Sequence, residues 1–159
     1  MAICNKKEDT NNIGKHIMML DEIQDPGNLG TIIRSALAFN IDTLILSNNS
    51  VDLYNPKVIR ASQGMIFHLN IITCDLIDKI HELKEDNYQI IGSDVNGGTD
   101  IKNFEKEDKF VIIMGNEGQG ISKEILDLCD TFVHINMSDK CESLNVGVAA
   151  GIILYELDK

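Results

Sequence analysis

Five short apolar runs punctuate this chain, and their continuity limits the possible folds more than any other feature. Ile17 to Leu20, Thr43 to Leu46, Gln89 to Gly92, Phe110 to Met114 and Phe132 to Ile135 are apolar at nearly consecutive positions rather than at alternate ones. A strand with one wet face alternates, whereas a strand apolar on both faces has to be covered on both. Amphipathic segments lie between the runs: Leu29 to Phe39, Asn55 to Gln63, Leu76 to Asp86, Ser122 to Leu128 and Ser143 to Leu157, with a shorter sixth strand near Phe67 to Ile71. Strand alternating with helix predicts an α/β fold, a parallel sheet with helices on both faces.

Two of the helices carry further information. In the first, Leu29, Ile32, Ile33, Ala36 and Leu37 form a single apolar stripe; Asn28 is placed to cap it and Arg34 falls off the stripe. In the last, Gly147 and Gly151 are four apart beside Ala150. Glycine inside a helix costs about 1 kcal/mol relative to alanine, so something must approach that face closely, either another part of the chain or a second subunit.

A chain of 159 residues can bury one full core. We expect a polar, frayed leader over 1–15 and one domain over 16–159. The longest nearly uncharged apolar run, Val146 to Tyr155, is about half the ~20 residues of a membrane span, and the leader lacks a signal-peptide core. A cytoplasmic protein without a membrane partner is expected. Cysteines 4, 74, 129 and 141 and histidines 16, 68, 81 and 134 show no ligand spacing, which predicts reduced thiols and no metal.

The net charge of -11 argues against a polyanionic partner, but the charge is uneven. Residues 26–72 hold Arg34, Lys57 and Arg60 against Asp42 and Asp52, whereas residues 73–110 hold five basic and ten acidic side chains. An anionic substrate should approach the first region.

Three loops rich in Gly and Asn follow apolar runs: Gln24 to Gly30, Met114 to Gly120, and the stretch from Ile135 to Asn145. Their similar placement suggests one shared site. The middle loop lacks G-x-G-x-x-G spacing, and no phosphate-binding G-x-x-x-x-G-K-[ST] occurs. Glu117 inside that loop disfavours a pyrophosphate, so a neutral or cationic ligand suits it better.

Taken together, the loops resemble a known family. Asp25-Pro26-Gly27-Asn28-Leu29-Gly30-Thr31-Ile32-Ile33-Arg34, then Ile113-Met114-Gly115-Asn116-Glu117-Gly118-Gln119-Gly120-Ile121-Ser122, then Ile135-Asn136-Met137 with Ser143-Leu144-Asn145-Val146 are similar to motifs 1, 2 and 3 of the SpoU (TrmH-like) branch of the SPOUT RNA methyltransferases. The resemblance runs from about Met18 to Glu156. It implies an α/β knot, whose C-terminal segment is threaded into a trefoil holding S-adenosylmethionine, and a homodimer whose active site receives groups from both subunits. Periodicity could not reveal a knot, since true knots are nearly absent from proteins.

Carried over by position, the resemblance implies that Arg34 is the catalytic arginine and that Asn28 shapes its loop. Glu117, Ser143 and Asn145 are expected around the substrate ribose. Gly115, Ile135, Met137 and Leu144 match cofactor-holding positions, and Ser93 is expected to line the same pocket. Arg34, Lys57 and Arg60 are the expected RNA contacts. The family's usual motif-3 proline is Asn136 here, and a small hydroxyl residue is replaced by Gly147. Relatives usually carry an extra RNA-binding domain or basic extensions, so a missing domain or basic partner is expected to assist docking.

The implied reaction is methyl transfer to a ribose 2'-OH of tRNA or rRNA. An arginine does not deprotonate in proteins, so Arg34 is expected to stabilise the developing alkoxide, and proton removal falls to a phosphate, a water or Glu117. The competing reading is a knotted, dimeric binding module with weak or no catalysis; a Rossmann-type reductase lacks its fingerprint.

With so few cations near motif 1, this chain should bind RNA weakly and with a shallow salt dependence. Lys57→Glu combined with Arg60→Glu should remove the remaining binding and spare the cofactor. Steeply salt-dependent, tight RNA binding in a filter or anisotropy titration would show that the RNA face lies elsewhere.

Overall fold

The computed structural model describes residues 12–94 and 97–159. Its elements are β1 (His16–Leu20), α1 (Pro26–Ala38), β2 (Thr43–Ser47), α2 (Pro56–Ala61), β3 (Asn70–Cys74), α3 (Leu76–Glu85), β4 (Gln89–Ser93), β5 (Thr99–Asp100), β6 (Phe110–Met114), α4 (Lys123–Leu126), β7 (Thr131–His134) and α5 (Val146–Leu157), which follow the expected alternation except from β4 to β6, where no α-helix intervenes among the described residues and β5 is a strand the sequence pattern did not predict. One sheet holds all seven strands in the order β3-β2-β1-β6-β4-β7-β5, and each neighbouring pair is parallel.

The continuous apolar runs acquire their meaning from two separate cores. Met18, Leu20, Leu44, Leu46, Ile112 and Met114 face one side, packing with Leu29 and Ile33 of α1, Val58 of α2 and Ile153 and Leu154 of α5. Their alternates Ile17, Met19, Ile45, Val111 and Ile113 face the other, with Ile80 and Leu83 of α3 and Ile125 of α4. Each fully buried side chain of this kind contributes about 1.5–3 kcal/mol. Among the described residues no helix is long and apolar enough to cross a membrane, and no cluster of three His, Cys, Asp or Glu is placed to hold a metal ion.

Several boundaries move from their sequence-based positions, each for a local reason. α1 opens at Pro26, so its N-cap is Asp25, whose side chain accepts from the backbone N–H of Asn28 at 2.8 Å. The expectation that Asn28 caps this helix is therefore corrected: proline loses nothing at the first helical position, where its missing N–H would be unpaired anyway. The strand expected near Phe67 to Ile71, β3, begins at Asn70 rather than Phe67, because Met65–Phe67 winds into a 3-10 turn that buries Ile66 and Leu69. α5 begins at Val146, capped by Asn145; Ser143 stays in the preceding loop. Most of the expected frayed leader, residues 1–11, lies outside the described residues. Where description begins, Ile13 accepts from Thr43 Oγ1 at 2.8 Å and the Lys15 backbone N–H donates to Asp42 at 2.8 Å.

Of the α5 glycines, Gly147 receives a close neighbour from within the chain, whereas Gly151 has only an ordinary contact there. A Cβ added at Gly147 would lie 3.2 Å from Thr31 Cγ2, and one at Gly151 3.5 Å from Ser35 Oγ, both on α1. α1 is equally close to α2 on another face: a Cβ on Gly30 would sit 2.3 Å from that of Ala61 and 2.9 Å from the Ser62 backbone nitrogen.

Gly30 therefore gives a test with a sign. Helix propensity alone makes Gly30→Ala stabilising by about 1 kcal/mol, whereas the contact with Ala61 makes it destabilising by about 1–3 kcal/mol, a typical overpacking cost. The expected result in urea unfolding is a lower midpoint for Gly30→Ala; a higher midpoint would mean that α1 and α2 separate at little cost.

Candidate active site

Parallel strands deliver their following loops to one edge of the sheet, the usual place for a ligand crevice. The loops after β1, β6 and β7 share the carboxyl edge here, and they enclose a cleft of about 970 Å³. Its lining includes Asn28, Ser93, Gly115, Glu117, Ile135, Met137, Ser143, Leu144 and Asn145. These are sequence-derived candidates drawn from positions as far apart as 28 and 145.

Side-chain hydrogen bonds tie the three loops. Asn145 Nδ2 donates to Asn28 Oδ1 at 2.9 Å, and Asn28 Nδ2 donates to Glu117 Oε1 at 3.1 Å. Glu117 also accepts from the backbone N–H of Asp25 at 3.1 Å and of Gln24 at 3.2 Å. At the other end of the relay, Asn145 Oδ1 accepts from the N–H groups of Gly147 and Val148, capping α5. Asn28 thus spends both ends of its amide joining motif 2 to motif 3.

This setting defines what Glu117 can do. Burial works to raise its pKa, but the Asn28 amide and the backbone N–H donors of Asp25 and Gln24 outweigh burial and leave it below the ordinary carboxylate value. A carboxylate held ionised by three donors is a weak proton acceptor. It acts as a strap on the loop that starts α1.

The middle loop is shaped by two further residues. Gly115 is buried, and a Cβ there would fall 2.0 Å from the Gly120 carbonyl carbon, so no larger residue fits where the loop folds back. Asn116 exchanges paired backbone hydrogen bonds with Gly120, both 2.9 Å, and its side chain donates to Glu22 O at 2.8 Å while accepting from Gly118 and Gln119. Asp21, only 5% exposed, accepts from the Ser122 backbone N–H at 2.8 Å and so pins the start of α4.

The electrostatics of the cleft are one-sided. Asp25, Asp94 and Glu117 line it, and among the described residues neither lysine nor arginine does. Ile135, Leu144, Val133, Leu126 and Ile153 supply apolar walls. A flat, partly apolar molecule carrying a positive charge fits this combination.

The expected cations stand apart from the cleft. Arg34 is exposed, and among the described residues it has no hydrogen bond or ion pair. It lies six residues beyond Asn28, about 9 Å along the helix axis, and is not part of the cleft wall. Lys57 and Arg60 are exposed on α2. Asp25, Asp94, Asn116 and His134 were not singled out as site residues by sequence reasoning. Asp25 could have been found from its place before Pro26; nothing local marks Asp94 or His134.

The cysteines Cys74, Cys129 and Cys141 are free thiols. Burial, with the charge of Asp130 adding to it, pushes the Cys129 thiol up to about 11, so it is unreactive at neutral pH.

A sequence model described as the SpoU rRNA Methylase family matches residues 15–155. The 23S rRNA (guanosine(2553)-2'-O)-methyltransferase RlmP of Bacillus subtilis (strain 168) is 33% identical over 156 residues, 98% of this chain and 63% of that protein. Among solved structures, an AdoMet-bound rRNA methyltransferase from Sinorhizobium meliloti aligns with a TM-score of 0.85 and 31% identity, covering 91% of this chain and 56% of its own. The SpoU methyltransferase AviRb from Streptomyces viridochromogenes, in complex with the cofactor AdoMet, aligns with a TM-score of 0.86 and 31% identity, covering 96% and 62%. The chain spans about three fifths of the length of these relatives.

The strap on Glu117 has a pH signature. A folded-state pKa below the unfolded value means that the stability it contributes is complete above about 4.5 and is lost as pH falls through the lower folded value. Glu117→Gln should be less stable than the parent in urea at pH 7, and the gap should narrow toward about pH 3. An equal gap at both pH values would mean that the charge of Glu117 plays no part.

Proposed function

Because the chain belongs to the SpoU rRNA methylase family, we propose that it transfers a methyl group from S-adenosylmethionine to a ribose 2'-OH in tRNA or rRNA. The observation that carries this reading is the Asn145–Asn28–Glu117 relay, which joins the three motif loops around one cleft. The acidic, partly apolar lining suits the cofactor, whose sulfonium is the only source of methyl group the reaction needs. Ile135, Met137, Leu144 and Gly115 would hold its adenosine part, with Ser93 beside them, and the carboxylates of the cleft would favour its positive charge.

In this reading Arg34 steadies the developing negative charge on the ribose oxygen and grips a neighbouring phosphate. Glu117, already carrying three donors, is assigned to holding the loop; proton removal falls to the phosphate or a water. Ser143, exposed at the cleft, would meet the ribose.

The placement of Arg34 outside its own cleft favours a site shared between two copies of the chain. An outward face suited to pairing exists on α5, where Val148, Ile152 and Tyr155, at i, i+4 and i+7, are 50%, 36% and 57% exposed. We read this stripe as the homodimer contact, with Arg34 of one protomer reaching the cleft of its partner. The family reading also carries the C-terminal trefoil knot. The return of the chain after β7 to seat Asn145 on Asn28, and α5 on α1, supports it.

Titration calorimetry should show S-adenosylmethionine binding with or without divalent ions; no heat under either condition would remove the cofactor from the reading. Arg34→Ala should abolish methyl transfer with cofactor affinity within a few-fold of the parent, and Arg34→Lys should not rescue it, lacking the planar fork. Arg34→Ala mixed with Asn145→Ala should regain activity that neither has alone. Failure of that mixture, with each variant still dimeric by light scattering, would place Arg34 in its own cleft.

A further inference from the structure

The chain has 25 acidic residues among 159, yet two long stretches contain none: 26–41, with Arg34, and 53–74, with Lys57, Arg60 and His68. The fold sets these stretches side by side, because α1 and α2 meet where Gly30 faces Ala61. The result is a shoulder whose own segments carry no carboxylate, on a strongly acidic molecule; carboxylates from outside meet it at its margins, Asp52 at Tyr54, Asp158 at Asn40 and Glu117 at Asn28. Two large apolar side chains stand out from it, Phe67 at 62% exposure and Ile59 at 40%.

Phe67 is held outward by a fixed turn. Ile66 and Leu69 are 5% and 2% exposed and anchor the segment in the core. The backbone N–H groups of Phe67, His68 and Leu69 donate to Gly64 O, Met65 O and Met65 O at 3.1, 3.0 and 3.2 Å. With residues 66 and 69 on the inner side of a three-residue turn, residue 67 has to point away. A ring exposed on a rigid backbone loses little entropy when a flat partner covers it.

We propose that Phe67 is a stacking platform for an unpaired RNA base, that Lys57 and Arg60 of the preceding α2 contact phosphates farther along the same strand, and that this shoulder docks single-stranded RNA outside the cleft. The choice of RNA rests on the methyltransferase reading above and on the charge of the segment: an exposed aromatic ring in a stretch that holds Lys57 and Arg60 and no carboxylate suits a polyanion that carries π faces. The other exposed apolar stripe, on α5, lacks neighbouring cations on its own helix until Lys159 and is assigned to a second copy.

The topology gives the platform a direction. Residues 48–69 carry the chain from the carboxyl end of β2 to the amino end of β3, where Asn70 pairs with Thr43. Lys57 is thus nearer the cleft end of the sheet, and Phe67 is near the opposite end. A five-residue strand spans about 17 Å, so RNA lying along this shoulder would rest a base on Phe67 several nucleotides away from the one in the cleft.

The chain contains no tryptophan, so Phe67→Trp supplies a single fluorescent reporter. Titrated at low salt with a short unstructured RNA, its emission should be quenched, and the quench should disappear when Lys57→Glu and Arg60→Glu are added. Phe67→Ala should weaken binding of the same RNA about ten-fold, as loss of one stacked base does. Phe67→Tyr should bind like the parent, and calorimetry should find S-adenosylmethionine affinity unchanged in all three. Undiminished RNA binding by Phe67→Ala, or emission indifferent to RNA, would overturn the platform. Emission that follows protein concentration but not RNA would also overturn it, giving this face to a second copy. Quenching by RNA without methyl transfer would instead remove the enzymatic reading and leave the platform standing.

Discussion

One side-chain amide holds the functional edge of this protein together. Asn28 accepts from Asn145, 117 residues later, and donates to Glu117, 89 residues later. A neutral hydrogen bond adds about 0.5–1.5 kcal/mol and one to a charged group about 1.5–3 kcal/mol. Such energies cannot close loops of this length on their own. The sheet supplies the closure by aligning β1, β6 and β7, and the relay then chooses a single arrangement from the loops the sheet has gathered. The N-terminal cap of α5 and the turn that starts α1 are both ends of this one network.

α1 is the element on which the packing converges, and helical periodicity explains how one helix serves so many neighbours. Successive side chains turn by about 100°, so its buried stripe meets the sheet while other faces remain available. Gly30 admits α2, Thr31 and Ser35 receive α5, and Arg34 is left in solvent. The glycines of α5 give up helix propensity so that its backbone can lie against α1. They serve the fold of one chain, and any contact with a second copy has to use the outward stripe instead.

Charge is sorted by position in the tertiary structure. Among the described residues the cleft wall carries carboxylates and no lysine or arginine, whereas the α1–α2 shoulder has cations and no carboxylates in its segments. A net charge of -11 therefore describes neither surface. A positively charged small molecule and a polyanion can meet the same chain on different faces, with the short Debye length of physiological salt limiting interference between them.

The sequence by itself determined the layered α/β architecture, because strands apolar at consecutive positions have to be buried on both faces, and it marked most of the cleft through three Gly/Asn loops. It also marked a need for close approach at Gly147 and Gly151, met at Gly147 and only by ordinary contact at Gly151. It could not identify what approaches them, since a small residue records proximity without naming the neighbour. Local pattern misplaced the cap of α1 at Asn28 and the start of β3 at Phe67. In the first case Pro26 at the opening position outranked the apolar period; in the second, burial of Ile66 and Leu69 drew the segment into a turn. Only the tertiary structure decided that Asn28 bridges two distant loops, that Glu117 is committed to three donors, and that Arg34 stands outside the cleft wall. Each of these depends on where elements far apart in sequence come to rest, and that is set by strand order, which no local periodicity encodes.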